Sequence, residues 1–568
     1  MVYALLACGA PIVGTIETEP RPDDVEEHPD DSGPAAPGGH DTAVEHIEGE
    51  EAPGAFDIDI EPHGAGFTEP VEVTITATED VEIWYTLDDT VPLPGASTLY
   101  EGPLTVDRSL TVRAMAIASD GREDHDAAAF AALSPGAAEL VSELPVLVLV
   151  SDREVPETKD EGYVPFRALA FEDVGGTTLE TVPALSVRGA MKVRGSSTAG
   201  YPKHSYAYET WEPDRDDDWD VELFGLASES DWVLLAPLEF DRAFMRNALA
   251  YWMSNEIGTW APHTRFIELF AAGSGEVVGD DDYLGVYVLV ERIKQGENRV
   301  DIAKLTPEDV DEPEVTGGYV FKRDRLGDDE DGFWAGTGGG VWEFDQYLVY
   351  VDPDEEDLAA EQRAYLSEAV DAFGYALAAS DGLDPVSGAH WSELIDVDSW
   401  IDHHIVNAFT MNPDALRLSG YLHKEREGPL FAGPVWDFDR TMGCNTDYRC
   451  IAATTWDATH ITSDTTPLFE HGWYRGLLDH PDFTEVYWER WREVLEGPLA
   501  LDVMLAQLDA WEAELDEAAA RNFAVWSSYP PDGSYAAEVD TLRDWVSARH
   551  TWISQCLQRD DPEQCTGG

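Results

Sequence analysis

Lysine is the rarest charged residue in this 568-residue chain, and one lysine ends a loop whose residue types suit anion binding. Lys203 closes the segment RGSSTAGYPK, which spans residues 194–203. Glycines and hydroxyl residues between two strands can present backbone N–H groups to an anion, and a lysine just after them can reach it. A lysine is a compact point charge, which suits a phosphate group. A structural hairpin loop remains the alternative.

Two acidic sites lie about two dozen residues apart in the second half of the chain. Asp414 follows a helix-period segment, and Asp437 and Asp439 follow the apolar stretch GPVW. Phosphoryl transfer needs one carboxylate to orient or deprotonate the attacking hydroxyl and another to hold Mg²⁺ on the phosphates. A hydrolase with paired carboxylates would use the same residue types. Asp437 and Asp439 could also be turn or capping residues.

The elements that would position these residues follow from hydrophobic patterning between about 140 and 560. Strand patterns dominate to about 350, and much of 482–556 has helical periodicity. A strand-rich half followed by a helix-rich half predicts an α+β fold. The predicted strands are Val146–Val150, Leu185–Val193, Phe266–Phe270, Tyr283–Val290 and Tyr319–Lys322, and the predicted helices are Arg242–Ile257, Glu361–Ala379 and Ser399–Phe409.

Two segments precede this large unit. Residues 9–52 are rich in Pro, Gly, Asp and Glu and hold few large apolar side chains. Such a segment cannot bury enough surface to offset its ordering entropy, so we predict an acidic, disordered tether. Residues 53–135 alternate apolar and polar residues in short runs between turn signals, which predicts a small antiparallel β-sandwich.

The charge balance excludes two classes of partner. The chain holds 114 Asp and Glu against 35 Lys and Arg, a formal net charge of −79. Nucleic-acid binding needs a basic patch that displaces phosphate counterions, so we expect no nucleic-acid partner. Adsorption to an anionic membrane surface is disfavoured for the same reason. The acidity is compatible with basic protein partners and equally with solubility in salt.

The five cysteines indicate export. Residues 1–8 read MVYALLAC, and a short apolar run ending in LLAC resembles the lipobox of bacterial lipoproteins, in which the cysteine is lipidated. We therefore predict an exported protein that is lipid-anchored through Cys8 in the cell envelope or at the cell surface; a disordered tail with a stray cysteine is the alternative. The other four cysteines form two sequence-local pairs, Cys444 with Cys450 and Cys556 with Cys565, which favours two disulfides over free thiols or zinc ligation.

Several separated sequence blocks between about 185 and 445 occur in the order found in the spore-coat protein H (CotH) kinase-like family. The chain therefore resembles that family over this span. The blocks are RGSS (194–197), YPKHSY (201–206), DWVLLA (231–236), RNALA (246–250), YLGVY (283–287), ERIK (291–294), NRV (298–300), GGY (317–319) and PVWDFD (434–439).

The resemblance implies an atypical, two-lobed protein-kinase-like domain over about 140–560. Such a domain would transfer the ATP γ-phosphoryl group to serine or threonine of a surface or coat protein, with Mg²⁺ or alternatively Mn²⁺. The resemblance implies that Asp414 is the catalytic base, that Lys203 binds phosphate, and that Arg246 braces the site or pairs with an acid. The other implied ligands are Arg194, Ser196, Ser197 and Glu291 for the nucleotide and Asp437, Asp439 and Ser419 for the metal.

One position departs from kinase-type catalytic loops, which carry a metal-binding asparagine five residues after the base. Ser419 stands there, and a serine hydroxyl is a poorer metal ligand than an amide oxygen. ATP is also scarce beyond the inner membrane. The second hypothesis is therefore a catalytically weak kinase-fold scaffold that binds protein or glycan at the cell surface.

The predicted sandwich has a resemblance of its own. The runs IWYTLD (83–88), STLYEGP (97–103) and LTVRA (110–114) resemble the immunoglobulin-like module at the C-terminus of chitobiases and hexosaminidases. Modules of that kind are accessory and carry no catalytic groups. Trp84 and Tyr85 could contact a sugar, although aromatic residues on a strand commonly pack in the core or across strands.

Overall fold

A computed structural model of the protein describes residues 56–273, 277–327, 330–456, 464–559 and 562–565. The predicted lipobox with Cys8 and the predicted tether at 9–52 lie outside these residues. The described residues form a mixed α and β structure. It begins with paired β-sheets, continues into a closed β-barrel and a five-stranded sheet, and ends in a helical region.

Two sheets at the N-terminal end form the predicted sandwich. One sheet has the order β1-β3-β6 and the other β2-β8-β7-β4-β5, and their apolar faces share a core that includes Ile75, Val112 and Phe130. The predicted sandwich was antiparallel throughout. The structure differs at one pair of strands, because β2 pairs with β8 in parallel. The strands are β1 (Ile58–Glu61), β2 (Ala65–Phe67), β3 (Val71–Ala77), β4 (Glu82–Thr86), β5 (Thr98–Leu99), β6 (Leu104–Val106), β7 (Leu110–Ile117) and β8 (Glu123–Ala132).

After a short helix α1 (Pro135–Ala138), seven strands close a barrel in the order β10-β11-β12-β15-β17-β16-β9. The barrel closes where β9 pairs with β16 in parallel. All five residues of β9 are buried, as its unbroken apolar run predicts. The strands are β9 (Val146–Val150), β10 (Val164–Phe171), β11 (Leu185–Arg194), β12 (Ser205–Trp211), β15 (Asp231–Leu235), β16 (Thr264–Ala272) and β17 (Tyr283–Glu291); the hairpin β13 (Val221–Leu223) and β14 (Leu226–Glu229) forms a separate sheet.

The sandwich packs directly on the barrel. Arg188 of β11 forms an ion pair with Asp89 of the sandwich at 3.1 Å, and Ser186 accepts a hydrogen bond from the backbone N–H of Ala129 at 2.7 Å. Arg188 is almost fully buried, so this pair is shielded from solvent. The sandwich and the barrel are therefore one packed unit within the described residues.

A five-stranded sheet in the order β19-β20-β18-β21-β22 and a set of helices complete the fold. The loop that holds Asp414 leads into β21, and Asp437 follows β22, so one hairpin separates the two candidate acids. These strands are β18 (Tyr319–Asp324), β19 (Gly332–Phe333), β20 (Tyr347–Asp352), β21 (Gly420–Lys424) and β22 (Leu430–Ala432).

The helices bury most of the aromatic residues of the second half. Trp400, Trp473 and Trp491 belong to one large core that joins helices from the whole second half. Of the helices in the described part of the chain, none combines the length and the apolar character that a bilayer crossing requires. The helices are α2 (Arg246–Glu256), α3 (Ala360–Ala378), α4 (Trp391–Leu394), α5 (Val397–Thr410), α6 (Gly472–Asp479), α7 (Pro481–Glu496), α8 (Leu501–Val525) and α9 (Tyr535–Cys556).

Both predicted disulfides form, Cys444 with Cys450 and Cys556 with Cys565. Such bonds are typical of proteins that fold in an oxidising compartment, and they support an exported or extracellular protein. Both bridges close short loops next to buried elements. The first lies only a few residues after Asp439, in the chain segment that follows the candidate site.

Candidate functional site

A cavity of about 90 Å³ brings together the predicted lysine and the predicted acid pair. Its walls come from the loop before β12, the segment after β15, helix α2 and the segment after β22. Lys203 lies on one wall, and Asp437 and Asp439 lie on another. The structure therefore joins residues that are more than 230 positions apart in the sequence.

Lys203 is buried and is held by oxygen atoms that carry no formal charge. Its Nζ donates hydrogen bonds to the backbone carbonyl of Val286 and to Oδ1 of Asn522, the second at 2.9 Å. The ammonium also lies 4.7 Å from the ring centroid of Tyr287. Burial lowers the pKa of Lys203 well below its usual range. Its charge is therefore not neutralised by a carboxylate in the described part of the chain, and an anion entering the cavity could use it.

Asp437 and Asp439 form an acidic pair that faces the cavity. Burial raises the pKa of both carboxyl groups, and the charges of Asp414 and Asp324 contribute at Asp437 while that of Asp437 contributes at Asp439. Asp437 also adopts a left-handed backbone conformation with φ of 71°. Such strain in a non-glycine residue is concentrated at functional sites. A bound cation would relieve the repulsion between these acids.

Helix α2 fixes the segment that carries the acid pair. Asn247 Oδ1 accepts a hydrogen bond from the backbone N–H of Phe438 at 2.7 Å. The buried Arg246 donates to the carbonyl of Thr441 at 3.0 Å and forms an ion pair with Asp241 at 2.6 Å. Arg246 thus both braces the site and pairs with an acid, the two roles that the sequence left open.

Arg194 lies outside the lining of the cavity, close enough to Asp437 to feel its charge, and retains an unused donor. Its guanidinium lies 5.2 Å from the ring centroid of Trp436, and its buried Nη1 has no hydrogen-bond partner in the part of the chain that the structure describes. Burial lowers the pKa of Arg194. A buried donor without a partner is costly, and a phosphate oxygen would satisfy it. The residues present therefore fit a nucleotide phosphate.

The carboxylates of the site can also be compared with the ligands that a metal ion requires. No group of three or more His, Cys, Asp or Glu side chains suited to a metal occurs among the described residues. Asp437 and Asp439 are two carboxylates, and Mg²⁺ commonly takes only one or two protein carboxylates together with substrate phosphates and water. The acid pair therefore fits Mg²⁺ that is shared with a nucleotide.

Asp414 lies outside the lining of the cavity, in a loop that is strained and cross-linked by ion pairs. Its carboxylate pairs with Arg417 at 2.8 Å and with Arg449 at 3.1 Å. Met411, Leu416 and Ser419 in the same loop have positive φ values. Both guanidinium groups bind Oδ1 of Asp414, whereas Oδ2 accepts only a 3.4 Å hydrogen bond from Arg449.

Of the other predicted ligands, Ser196, Ser419 and Glu291 do not line the cavity. Ser419 Oγ donates a 3.3 Å hydrogen bond to Asp437 Oδ2, which links it to the acid pair. Ser196 is exposed, and Ser197 begins a 3₁₀ turn. Glu291 does not line the cavity; its buried carboxylate is bound by Arg299 at 3.0 Å and by His263 at 2.9 Å.

Three residues that contribute to this geometry could not be assigned from the sequence. Asn522 binds Lys203 from 319 residues away, and Arg449 binds Asp414 from 35 residues away. Asn247 lies inside a block that carries the family resemblance, which was the one available signal for it. Asn522 and Arg449 lie in segments without a motif, so only the tertiary structure identifies them.

Comparison with known families identifies the larger part of the chain. The family model described as CotH kinase protein matches residues 191–553, which is more than half of the chain. The protein belongs to the CotH kinase family. The match covers Lys203, Asp414, Asp437 and Asp439 and extends through helices α7 and α8 to most of α9.

A second family model matches residues 62–127 of this CotH kinase family member. The model is described as chitobiase/beta-hexosaminidase C-terminal domain, and its match covers most of the sandwich. No curated protein matches the chain. Among solved structures, a chimeric titin Z1Z2-Z1Z2 tandem functionalised with a GRGDS peptide from fibronectin is similar at 13% identity over 28% of this chain and 93% of that chain, with a TM-score of 0.11.

Proposed function

We propose that the protein is an atypical protein kinase that transfers the ATP γ-phosphoryl group to a serine or threonine hydroxyl of a surface or coat protein. The observation that carries the proposal is the single cavity that joins Lys203 with Asp437 and Asp439. In this proposal the barrel and the helical region act as the two lobes of a kinase-like fold. Membership of the CotH kinase family supports the reaction class.

Each residue has a distinct role in the proposed reaction. Lys203 and Arg194 bind the nucleotide phosphates, and Asp437 and Asp439, assisted by Ser419, hold Mg²⁺. When bound, the ion would neutralise charge on the phosphates. The substrate hydroxyl oxygen forms a bond to the γ-phosphorus while the bond to the bridging oxygen of ADP breaks, and Asp414 accepts the hydroxyl proton. Glu291 remains a predicted adenine-side residue and would act through the backbone, since Arg299 and His263 bind its carboxylate.

One observation favours a second candidate function. The carboxylate of Asp414 is bound by Arg417 and Arg449, and a substrate hydroxyl would have to displace those hydrogen bonds. A protein with this fold that lacks an available base and does not bind nucleotide would serve as a scaffold. Its function would then be to bind another protein, or to bind a glycan through the sandwich.

A thermal-shift titration with ATP, with and without Mg²⁺ or Mn²⁺, separates the two candidates. A kinase site should give a rise in Tm that requires both nucleotide and metal and that disappears in Lys203→Ala and Asp437→Ala. Asp414→Ala should keep the Tm rise and lose phosphoryl transfer by about 1,000-fold or more, because it removes only the base. Exposed Arg475→Ala is the matched control. No rise at millimolar ATP would contradict nucleotide binding and support the scaffold.

The site of action is a further part of the proposal. We propose that the chain is exported and lipid-anchored through Cys8, where its partners would be other surface proteins. Incorporation of a labelled fatty acid in cells, absent in Cys8→Ala, is the expected result. Unchanged labelling in Cys8→Ala, or none in the native chain, would contradict the anchor.

A further inference from the structure

One wall of the cavity described above comes from an exposed connection near the C-terminal end of the chain. Residues 526–534 join α8 to α9, and we call them the strap. Tyr529 of the strap lines the cavity together with Lys203 and Asp437. Tyr529 is half-buried, whereas most of the other strap residues are exposed. The strap therefore separates part of the cavity from solvent.

The strap begins beside the group that binds Lys203. Asn522, one helical turn before the strap, accepts a hydrogen bond from Lys203 Nζ at 2.9 Å. Trp526, the first residue of the strap, donates from Nε1 to the carbonyl of Leu284 at 2.9 Å. Gly285 permits this close approach, because its φ is 93° and a Cβ there would lie 2.3 Å from Oδ1 of Asn522. Lys203 and the start of the strap are thus fixed to the same bend of β17.

Beyond Trp526, the strap is held by polar contacts at the surface. Arg242 Nη1 donates to the carbonyl of Pro530 at 3.0 Å, and the guanidinium lies 3.6 Å from the carboxylate of Asp532. The backbone N–H of Asp532 donates to Glu538 of α9 at 2.5 Å. The side chain of Asp532 is 83% exposed, and an ion pair in water contributes little. Such contacts break at low cost, so this part of the strap can move while Trp526 stays in place.

The other walls of the cavity are held by buried contacts. Arg246 at the start of α2 forms its 2.6 Å ion pair with Asp241, and both side chains are almost fully buried. Asn247 binds the backbone N–H of Phe438 at 2.7 Å and so fixes the segment with the acid pair. Breaking a buried ion pair or hydrogen bond costs far more than breaking an exposed one. The strap is therefore the wall that opens most easily.

The volume of the cavity limits what it can enclose. About 90 Å³ equals the liquid volume of about three water molecules, which suits phosphate groups. Pockets that enclose larger organic ligands measure about 300–1,000 Å³. The cavity in this form therefore encloses phosphate groups and not a whole nucleotide.

Tyr529 brings an unused donor to this space. Its backbone N–H donates to the carbonyl of Trp526 at 2.8 Å, which forms the turn that carries the side chain. Its hydroxyl group forms no hydrogen bond with any residue in the described ranges. A phenolic O–H can donate one hydrogen bond to a phosphate oxygen, and Lys203 supplies the positive charge.

We propose that the strap is a lid for phosphate groups. It opens to admit the phosphates of the nucleotide and closes on them, with the Tyr529 hydroxyl donating to a phosphate oxygen. Trp526 is the fixed end of the lid, and Arg242 holds the other end closed. This inference rests on the nucleotide site of the proposed function. It concerns phosphate binding and not transfer, so inorganic pyrophosphate with Mg²⁺ tests it without a reaction.

The first test measures amide hydrogen exchange of residues 526–534 in the full chain. ATP and pyrophosphate, each with Mg²⁺, should slow this exchange by about threefold or more, because closing the lid protects its amides. Adenosine, which has no phosphate, should leave the exchange unchanged.

The outcomes separate this inference from the proposed function. Unchanged exchange in the strap at saturating ATP would overturn the lid, and phosphoryl transfer in the same sample would leave the kinase standing. Protection by pyrophosphate in a protein that transfers no phosphoryl group would support the lid and contradict the kinase. Binding of neither ATP nor pyrophosphate would contradict both.

A single-atom change tests the contact of Tyr529. Tyr529→Phe removes only the hydroxyl oxygen and should weaken pyrophosphate binding about fivefold in titration calorimetry, as expected when a hydrogen bond to a charged group is lost. The Tm of the unliganded protein should not change, because that hydroxyl binds no described residue. Ser528→Ala, which removes a neighbouring exposed hydroxyl, is the control. Unchanged pyrophosphate affinity in Tyr529→Phe would overturn the contact.

A second variant tests whether Arg242 holds the lid closed. Arg242→Met keeps the length of the side chain but removes its contacts with Pro530 and Asp532. Association and dissociation of a fluorescent ATP analogue, followed by stopped flow, should both become about threefold faster, because a lid that opens more often admits and releases ligand sooner. Arg475→Met, exposed on α6, is the control. Unchanged rates in folded Arg242→Met would overturn this role of Arg242.

Discussion

Lys203 and Asp414 are the two ends of the proposed transfer site, and their surroundings differ. Lys203 is bound by backbone carbonyls and an amide oxygen, so its charge has no carboxylate partner among the described residues. Asp414 is bound by two arginines. In the proposed reaction the Lys203 end is therefore open to an anion, whereas Oδ1 at the Asp414 end is already bound by two arginines. The two ends must therefore be tested separately.

The largest expected effect concerns the disulfide next to the Asp414 end. The loop closed by Cys444–Cys450 carries Arg449, whereas Cys556–Cys565 closes a loop far from both ends in sequence. Replacing either pair with serine should lower the free energy of unfolding by about 2–3 kcal/mol, because both loops are short. Denaturant titration measures this loss. Only the first replacement should also alter phosphoryl transfer; equal effects of both pairs on transfer would remove the link between the bridge and Asp414.

The second prediction concerns pH and the Lys203 end. Because burial lowers the pKa of Lys203 and bound phosphates would raise it, ATP binding should take up a proton. ATP affinity should be constant below the pKa that Lys203 has in the free protein. Above that pKa it should fall as pH rises, by up to about tenfold per pH unit. Calorimetry in buffers of different ionisation enthalpy measures this uptake. Lys203→Arg, which stays charged, should show no uptake; uptake of the same size in that variant would assign the proton to another group.

The third prediction tests the amide that binds the lysine. Asn522→Leu keeps a similar volume but removes an acceptor from Lys203 and from the backbone N–H of Val286, which bonds the same Oδ1 at 3.1 Å. ATP affinity should fall about fivefold, in the range expected when a hydrogen bond to a charged group is lost. Nearby Glu517→Gln on the same helix is the control. If both variants lose affinity equally, the effect belongs to helix packing and not to Lys203.

The fourth prediction concerns Arg449, which binds the carboxylate of Asp414. Arg449→Gln removes one of the two cations that occupy its carboxylate and should raise phosphoryl transfer about two- to threefold, with ATP affinity unchanged. Single-turnover measurement of transfer gives this rate, and Arg475→Gln provides the exposed control. A lower rate in Arg449→Gln would mean that the arginine positions Asp414 for the reaction, and the contrast between the two ends would then disappear.

Local patterning predicted the elements well because it depends on neighbouring residues. Strand β9 has the predicted bounds, and helix α3 is displaced by one residue from the prediction. Helix α2 begins at Arg246 and not at the predicted Arg242. The reason is visible in the structure: Phe244 adopts a positive φ of 67°, and the carboxylate of Asp241 accepts a hydrogen bond from the backbone N–H of Arg246.

Barrel closure could not be predicted in the same way. It requires β9 to pair in parallel with β16, more than 110 residues away, and nothing in either apolar run specifies that partner. The disulfides were predictable because each cysteine has its partner within nine residues. Prediction thus succeeded where the interacting residues are close along the chain.

Sequence patterns were enough to predict the family resemblance, the secondary structure in outline, and the residue types available for phosphate and metal binding. The tertiary structure decided which charges are paired. It brought Asn522 to Lys203 and Arg449 to Asp414. The physical reason is that periodicity and turn formation depend on adjacent residues, whereas ion pairs and hydrogen bonds depend on distances of a few ångströms between groups that the chain order leaves unspecified.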